Sequence, residues 1–351
     1  MDAFFAAIEE RDNPQWMGKP IVVGADPMGG KGRGVVSTAN YKARIYGISS
    51  ALPIMHAWRA SENARKRGEE PAIFLPPDMR KYSTVSQRVM AIMRRHAQTI
   101  EQASVDEAYL DLSFTGSYEE AAEVCRQIKK EIRDTERLTA SMGVGPNKLI
   151  AKIASDQQKP DGLTIVTEAE TERFLEPMSI RKIPGIGPKT EVRFARLGVK
   201  TVRDLKRFSL EELEEMLGKW GDDLYAKVRG IDNSPIEELY EAKSIGEQDT
   251  FLHDTLDVSF IFDRLKTLCQ SVFSSFQHSG SESFRTVVVI VRFADFETKT
   301  RSHTVAEPID KLSRFEFEAM KLLMPFVDGR SNPKRKLIRL IGVRVEKLTD
   351  V

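Results

Sequence analysis

Apolar residues recur at helical and then at strand spacing several times before about residue 166. Phe4, Phe5 and Ile8 share a helical face in a segment that runs from Ala3 to Arg11 and ends near Asn13-Pro14. Ile21-Val22-Val23 reads as a short buried strand and Val35-Val36-Ser37 as another, with a glycine-rich stretch from Gly24 to Gly34 between them. Helical segments continue through Arg67, Ile73-Phe74-Leu75 is a further strand, and Val85, Val89, Ile92 and Met93 mark a helix from about Met79 to His96. Ala103 to Leu112 alternates in the strand manner and Tyr118 to Asp134 is an amphipathic helix. Thr139 to Val144 is a strand, Lys148 to Ser155 a helix, and Leu163 to Val166 a strand again. This interleaving predicts an α+β sheet with helices on one face.

From Thr167 to Arg229 the pattern is helical only, and Asp232 to Gln248, with Pro235 and several charges, reads as an extended linker. Beyond Thr250 come a helix, strands over Arg285 to Phe293 and Arg301 to Val305, a helix over Leu312 to Met324, and a strand over Lys336 to Leu348. That is a second, smaller α+β unit. A chain of 351 residues is too long for one ordinary core and divides into two to four domains.

Composition narrows the class without choosing a function. With 41% hydrophobic and 30% charged residues the chain reads as soluble and globular, and no apolar run approaches the roughly 18 residues of a membrane span. Cys125 and Cys269 read as buried reduced thiols of a cytosolic, cytoplasmic protein. The net charge of +1 means that any nucleic-acid surface must be local, with acidic residues elsewhere cancelling it.

The most informative stretch is Ser104-Val105-Asp106-Glu107-Ala108-Tyr109-Leu110-Asp111. Adjacent carboxylates point to opposite faces of a regular strand, so Asp106 and Glu107 serve one site only if the backbone bends there. They read either as an acidic edge pair facing water or as a metal site. Carboxylate oxygens suit Mg²⁺, and two such ions stabilise both the attacking and the leaving oxygens of an in-line phosphoryl displacement.

Ser104 to Asp111 closely resembles the catalytic SxDEAYLD motif of the Y-family DNA polymerases. Further matches stand in the same order: Asp2 to Glu9, Ser37 to Arg44, Gly143-Val144-Gly145 with Asn147-Lys148, Lys159-Pro160-Asp161-Gly162, and Ile183-Pro184-Gly185-Ile186-Gly187. The resemblance covers almost the whole chain. It implies a right-hand fold: a ferredoxin-like palm over residues 1–4 and 71–166, small fingers over 5–70, and a helical thumb with a helix-hairpin-helix over 167–232. A linker over 233–247 and an α+β little finger over 248–351 complete it. It also implies error-prone, poorly processive DNA-directed DNA synthesis in translesion synthesis and DNA repair. Two Mg²⁺ ions serve as cofactors, primer-template DNA and dNTPs as partners, and the protein acts as a monomer.

By that resemblance Asp106 binds the metals, Glu107 is the acidic residue needed for nucleotidyl transfer, and Asp111 is structural. Phe5 packs under the incoming sugar and leaves no room for a 2′-hydroxyl. Phe4 stands beside it at the dNTP, and its spacing also fits a core aromatic. Tyr41 and Arg44, three apart and so on one helix face, are placed on the triphosphate with Lys159. Lys148 and Lys152 share a helix face and are further candidates. Gly24 to Gly34 lacks the P-loop pattern and reads as a finger loop near the templating base. Gly185 and Gly187, with Lys182 and Lys189, resemble a helix-hairpin-helix that holds duplex phosphates without reading sequence. Arg292, Arg301 and Arg339 belong to a wider basic set on the second unit that could line a phosphate track. Lys243-Ser244-Ile245-Gly246 resembles the family's linker motif near the template backbone.

Family members begin with an apolar strand ending in Asp-x-Asp. Here Met1 falls on the middle residue and Asp2 matches the second Asp, so the first, a metal ligand, has no counterpart. Deleting about five buried apolar residues costs on the order of 10 kcal/mol, comparable with a domain's whole stability. The expectation is a natural protein that begins several residues upstream; the alternative is a catalytically dead DNA-binding copy. A two-metal nuclease would explain Asp106 and Glu107 but not Phe5 or the Tyr41-Arg44 pair. No sliding-clamp-binding tail is recognisable, so clamp recruitment is left open.

Overall fold

The computed structural model describes residues 1–238 and 241–349. The chain forms two compact units, one of Met1–Gly30 with Val35–Leu239, the other of Lys31–Gly34 with Tyr240–Val351. Among the described residues no helix is long and apolar enough to cross a membrane.

The first unit opens with α1 (Phe4–Asp12), β1 (Ile21–Gly24), β2 (Val36–Ala39), α2 (Tyr41–Ile45), α3 (Ile54–Lys66) and β3 (Ile73–Leu75). Strand β1 pairs antiparallel with β2 and parallel with β3, and all its residues are buried, as a continuous apolar run requires. Then come α4 (Met79–Arg94), β4 (Ile100–Gln102), β5 (Ala108–Leu110), α5 (Tyr118–Glu136), β6 (Met142–Val144), α6 (Lys148–Ser155) and β7 (Leu163–Ile165). Phe4, Ile8, Tyr82, Val85, Val89, Ile128 and Ile132 from α1, α4 and α5 form one core. Strands β4 and β5 form one two-stranded ladder and β6 and β7 another. Both contribute to the walls of a cleft of about 620 Å³.

Helix α6 sits tightly on β6. A Cβ on Gly143 would lie 2.1 Å from the Ala151 carbonyl oxygen, so only glycine permits that approach. Asn147 caps α6 by accepting the Ile150 N–H at 3.0 Å, which fixes where the helix starts and which lysines face the cleft.

Glu136, at the end of α5, is 8% exposed and joins three helices. Arg88 on α4 holds it bidentately at 2.6 and 2.9 Å, and Arg11 on α1 donates at 3.0 Å. The Arg88 hydrogen bond, chiefly, holds this carboxyl below the ordinary glutamate range. A depressed pKa contributes stability that is present above the ordinary value and disappears as pH falls through the depressed one. Glu136→Gln is therefore expected to cost about 2 kcal/mol at pH 7. In urea melts the gap from the native protein should close as pH falls below about 4. A gap that does not narrow at all as pH falls from 7 through the ordinary glutamate range would rule out the ionic account.

Helices α7 (Glu168–Leu175), α8 (Pro188–Ala195), α9 (Val202–Leu205), α10 (Leu210–Leu217) and α11 (Trp220–Lys227) follow, packed around Phe194, Leu205, Leu213 and Leu224.

The second unit is built from β8 (Ser244–Thr255), α12 (Val258–Gln277), β9 (Ser283–Phe293), β10 (Thr298–Ile309), α13 (Leu312–Val327) and β11 (Ile338–Thr349). Its sheet has the order β10-β9-β11-β8, and α12 and α13 share a core with Phe284, Val287, Val289, Val291 and Phe293 of β9. Ser244 to Gln248, expected as linker, are the first residues of β8. This is an edge strand whose early side chains are mostly exposed and polar, so no hydrophobic alternation marks it. Residues 239 and 240 of the expected linker, and 350 and 351 of the expected last domain, lie outside the described residues.

Candidate active site

The expected strand from Ala103 to Leu112 is instead a hairpin. Strands β4 and β5 pair antiparallel, and Ala103 to Glu107 turn between them. The Ala103 and Ser104 N–H groups both donate to the Glu107 carbonyl, at 3.0 and 3.1 Å. Ser104 Oγ donates to Asp106 Oδ1 at 3.0 Å, so the serine before the acidic pair sets the first carboxylate's orientation. The alternation misled because Ser104-Val105 continue the polar-apolar rhythm through the turn. The bend needed for both carboxylates to serve one site is present.

Around this turn the charges alternate. Glu107 pairs with Lys152 of α6. Lys148, one helical turn earlier, goes instead to Glu101 at 2.6 Å, with its ammonium 5.2 Å from the Tyr109 ring centre. These lysines share a helix face but serve different carboxylates, and Lys152 is the one at the acidic pair. The Met1 ammonium donates to the Asp106 carbonyl at 2.7 Å; burial pushes its pKa down, while the Asp106 carboxylate acts the other way. Lys159 pairs with Asp156 at 2.7 Å. Burial acts to lower its pKa, but Asp156, with help from Glu107 and Asp2, holds it above the ordinary lysine value. It is a firmly charged ammonium beside the acidic turn.

Tyr41 and Arg44 lie together on α2, the guanidinium 4.7 Å from the ring centre. Arg44 Nε donates to the Ala39 carbonyl at 2.9 Å, which leaves its two terminal nitrogens for another acceptor. Among the described residues the buried Tyr41 hydroxyl has no hydrogen bond of good geometry, though the Arg44 guanidinium stands close to it, and burial raises its pKa. Such an orphaned donor is costly unless a ligand oxygen completes it. The charges of Asp2 and Lys159 act on this phenol, and that of Glu107 on Lys159, so the α2 pair, the lysine and the acidic turn belong to one region.

Phe5 is half-buried and stacks on Tyr82, with centroids 4.3 Å apart and planes at 11°. Tyr82 is fixed in turn by donating to Glu9 Oε1 at 2.7 Å. Phe4 is 2% exposed, so of its two expected places it takes the core. Asp2 is 3% exposed; its carboxylate accepts from Ser141 Oγ at 2.7 Å and from the Asp161 N–H at 2.8 Å. It ties the start of α1 to the β6 and β7 ladder.

In the helical segment Gly185 has φ +100° and lies against Trp220, where a Cβ would stand only 3.0 Å from the indole. Gly187 is the N-cap of α8 with Pro188 in the first turn. Lys182 and Lys189 are exposed on either side. Trp220, which seats the turn, had no signal in the local motif.

On the second unit, strand alternation puts Arg292 on the sheet face away from the helices. Arg301 pairs across from the core residue Val289 and reaches Ser331 Oγ at 2.8 Å, so it lies on the opposite side. Arg339 lies on β11 with its guanidinium 4.7 Å from the Phe296 ring centre. The three arginines do not form one row.

A sheet-and-helix unit carrying an acidic turn, opposed by lysines and followed by a helical segment with a glycine turn, has the parts of a nucleotidyl-transfer enzyme. Residues 1–156 match the impB/mucB/samB family, residues 242–351 the C-terminal domain of that family, and residues 181–232 the DNA polymerase-iota thumb domain. The chain is 42% identical to the DNA polymerase IV of Methanoculleus marisnigri, over 99% of this chain and 92% of that protein. It is 42% identical to DNA polymerase IV 2 of Methanosarcina mazei, over 100% of this chain and 91% of that protein. Among solved structures, the Y-family DNA polymerase chimera Dbh-Dpo4(243-245)-Dbh superposes with a TM-score of 0.84 at 32% identity, covering 100% of this chain and 98% of that one. The chain belongs to the Y family of DNA polymerases.

Proposed function

We propose that this chain is an error-prone, poorly processive DNA-directed DNA polymerase of translesion synthesis and repair, acting as a monomer on primer-template DNA with dNTPs. Residues 1–4 and 71–166 serve as palm, 5–70 as fingers, 167–232 as thumb and 248–351 as little finger. One observation supports the reading best: the orphaned Tyr41 hydroxyl stands with Lys159 near the Asp106-Glu107 turn. A triphosphate supplies acceptor oxygens for this hydroxyl and for the terminal nitrogens of Arg44, with the Lys159 ammonium, already paired with Asp156, adding positive charge nearby.

Y-family polymerases use divalent metal ions. The donors here fit Mg²⁺, a hard cation that takes one or two carboxylates and completes its shell with water and substrate phosphate. Among the described residues no group of three or more His, Cys, Asp or Glu side chains could hold a metal ion. Asp106 and Glu107 would hold it, and when bound it would neutralise charge developing on the α-phosphate. The primer 3′-hydroxyl attacks that phosphorus, and the bond to pyrophosphate breaks. Tyr41, Arg44 and Lys159 hold the leaving phosphates in line, and Phe5 excludes a 2′-hydroxyl under the sugar.

The hairpin at Gly185 and Gly187 holds duplex backbone in this reading. Lys182→Ala and Lys189→Ala should each flatten the slope of log affinity against log salt by about 1, for every duplex sequence alike. An unchanged slope would remove these lysines from the DNA track.

Primer extension tests the whole reading. With an end-labelled primer-template, four dNTPs and Mg²⁺, the expected product is a longer primer. Shortening would identify a nuclease, and binding without change in length would identify a non-catalytic DNA-binding protein.

A further inference from the structure

Four residues, Ala294 to Glu297, connect β9 to β10, and at their outer corner stands Phe296, 64% exposed with φ +65°. A left-handed backbone is the province of glycine and asparagine, and a bulky aromatic there is a rare choice that stability does not favour. The corner is nevertheless rigidly built. The Phe296 N–H donates to the Phe293 carbonyl at 2.9 Å, and the Phe293 N–H to the Glu297 carbonyl at 2.9 Å. Lys336 bridges the two flanking carboxylates, Asp295 and Glu297. These bonds fix the backbone of the corner, and the ring stands exposed on it.

Beneath the ring lies the Arg339 guanidinium, 4.7 Å from its centre. Burial pushes the pKa of this arginine below its ordinary value, and the like charges of Arg33 and, less, Arg292 add to the effect. Arg339 has a carboxylate only at 3.8 Å, from Asp254, and Arg292 spends its Nε on the Thr298 hydroxyl at 2.9 Å. Both therefore keep nitrogens for an anion. An exposed aromatic face on a fixed backbone corner, beside under-neutralised guanidiniums, matches what one nucleotide presents, a π-face and a phosphate.

We propose that Phe296, backed by Arg339 and Arg292, is a stacking site for one unpaired base of single-stranded DNA, with the adjoining backbone phosphate on the arginines. The proposal rests on the polymerase reading and adds to it a contact to unpaired DNA. Base-on-aromatic contact tolerates any sequence, because every base has a π-face. An occupant of this kind also accounts for an aromatic where glycine would relax the backbone.

The test compares the full chain with Phe296→Ala, Phe296→Gly and Phe296→Trp on two DNAs: a blunt duplex, and the same duplex with a single-stranded overhang carrying 2-aminopurine. The alanine and glycine variants should bind the overhang DNA about 5- to 100-fold more weakly while blunt-duplex affinity holds. Phe296→Gly should show this loss with a melting temperature equal to or above that of the native protein. Phe296→Trp should keep the overhang affinity, with the tryptophan quenched on binding. Overhang affinity unchanged in Phe296→Ala, or equal losses on both DNAs, would overturn the stacking site. A native protein that bound neither DNA would overturn the polymerase reading, and this proposal with it.

Discussion

Asp106→Asn and Glu107→Gln are each expected to lower primer extension by the full-length protein about a thousand-fold or more, with primer-template affinity unchanged. Each substitution keeps the side chain's size and removes one charge. The Asp106 carboxylate accepts from Ser104 Oγ at 3.0 Å, a contact an amide oxygen can keep, so the turn should fold as before. Glu107→Gln releases Lys152, whose ammonium is paired to that carboxylate. The free lysine then stands in the site as an uncompensated cation and opposes the binding of a second one. Metal titration separates charge loss from misfolding: both variants should need much higher Mg²⁺ while their melting temperatures stay within a few degrees of native. Extension within ten-fold of native in either variant would remove that residue from the chemistry.

Phe5→Ala is expected to lower the preference for dNTPs over rNTPs by about a hundred-fold, chiefly by admitting ribonucleotides. Phe5 is the second aromatic of α1, and its ring is pinned face to face on Tyr82 at 4.3 Å. Because the Tyr82 ring beneath it is fully buried in the core, the stacked Phe5 ring has little room to swing aside for an extra hydroxyl. Loss of the stack also destabilises the unit, by about 1 kcal/mol beyond the area lost. Tyr82→Phe separates the two effects, since it keeps a ring under Phe5 and removes only the bond to Glu9. That variant should lose stability and keep sugar selectivity. Unchanged selectivity in Phe5→Ala would show that another group excludes the 2′-hydroxyl.

Motif order made the family legible from residues alone, because several short patterns stood in sequence across the chain. Periodicity located most elements, and α6 fell at its expected bounds, Lys148–Ser155. It failed where local rhythm and hydrogen bonding disagree. Ser104-Val105 continue a strand's alternation through a turn, and the early residues of β8 pair at a sheet edge with no buried face to mark them. The two expected readings of Phe4, core and nucleotide contact, were separated by burial, which a single sequence does not supply. Lys152 and Lys148 look equivalent by spacing, yet tertiary partners assign one to Glu107 and the other to Glu101. Phe296 carried no signal, because its left-handed backbone and its arginine neighbour come from strands far apart in the chain.

Single-nucleotide insertion on a primer with one defined templating base, run with the native protein and with Asp106→Asn, tests the assignment of the acidic turn most directly. We expect the native protein to add one nucleotide, preferring the dNTP complementary to the template and changing its choice when that base is changed. Asp106→Asn should add almost none while still binding the DNA. Insertion that ignores the template, or that survives unchanged in Asp106→Asn, would contradict the account.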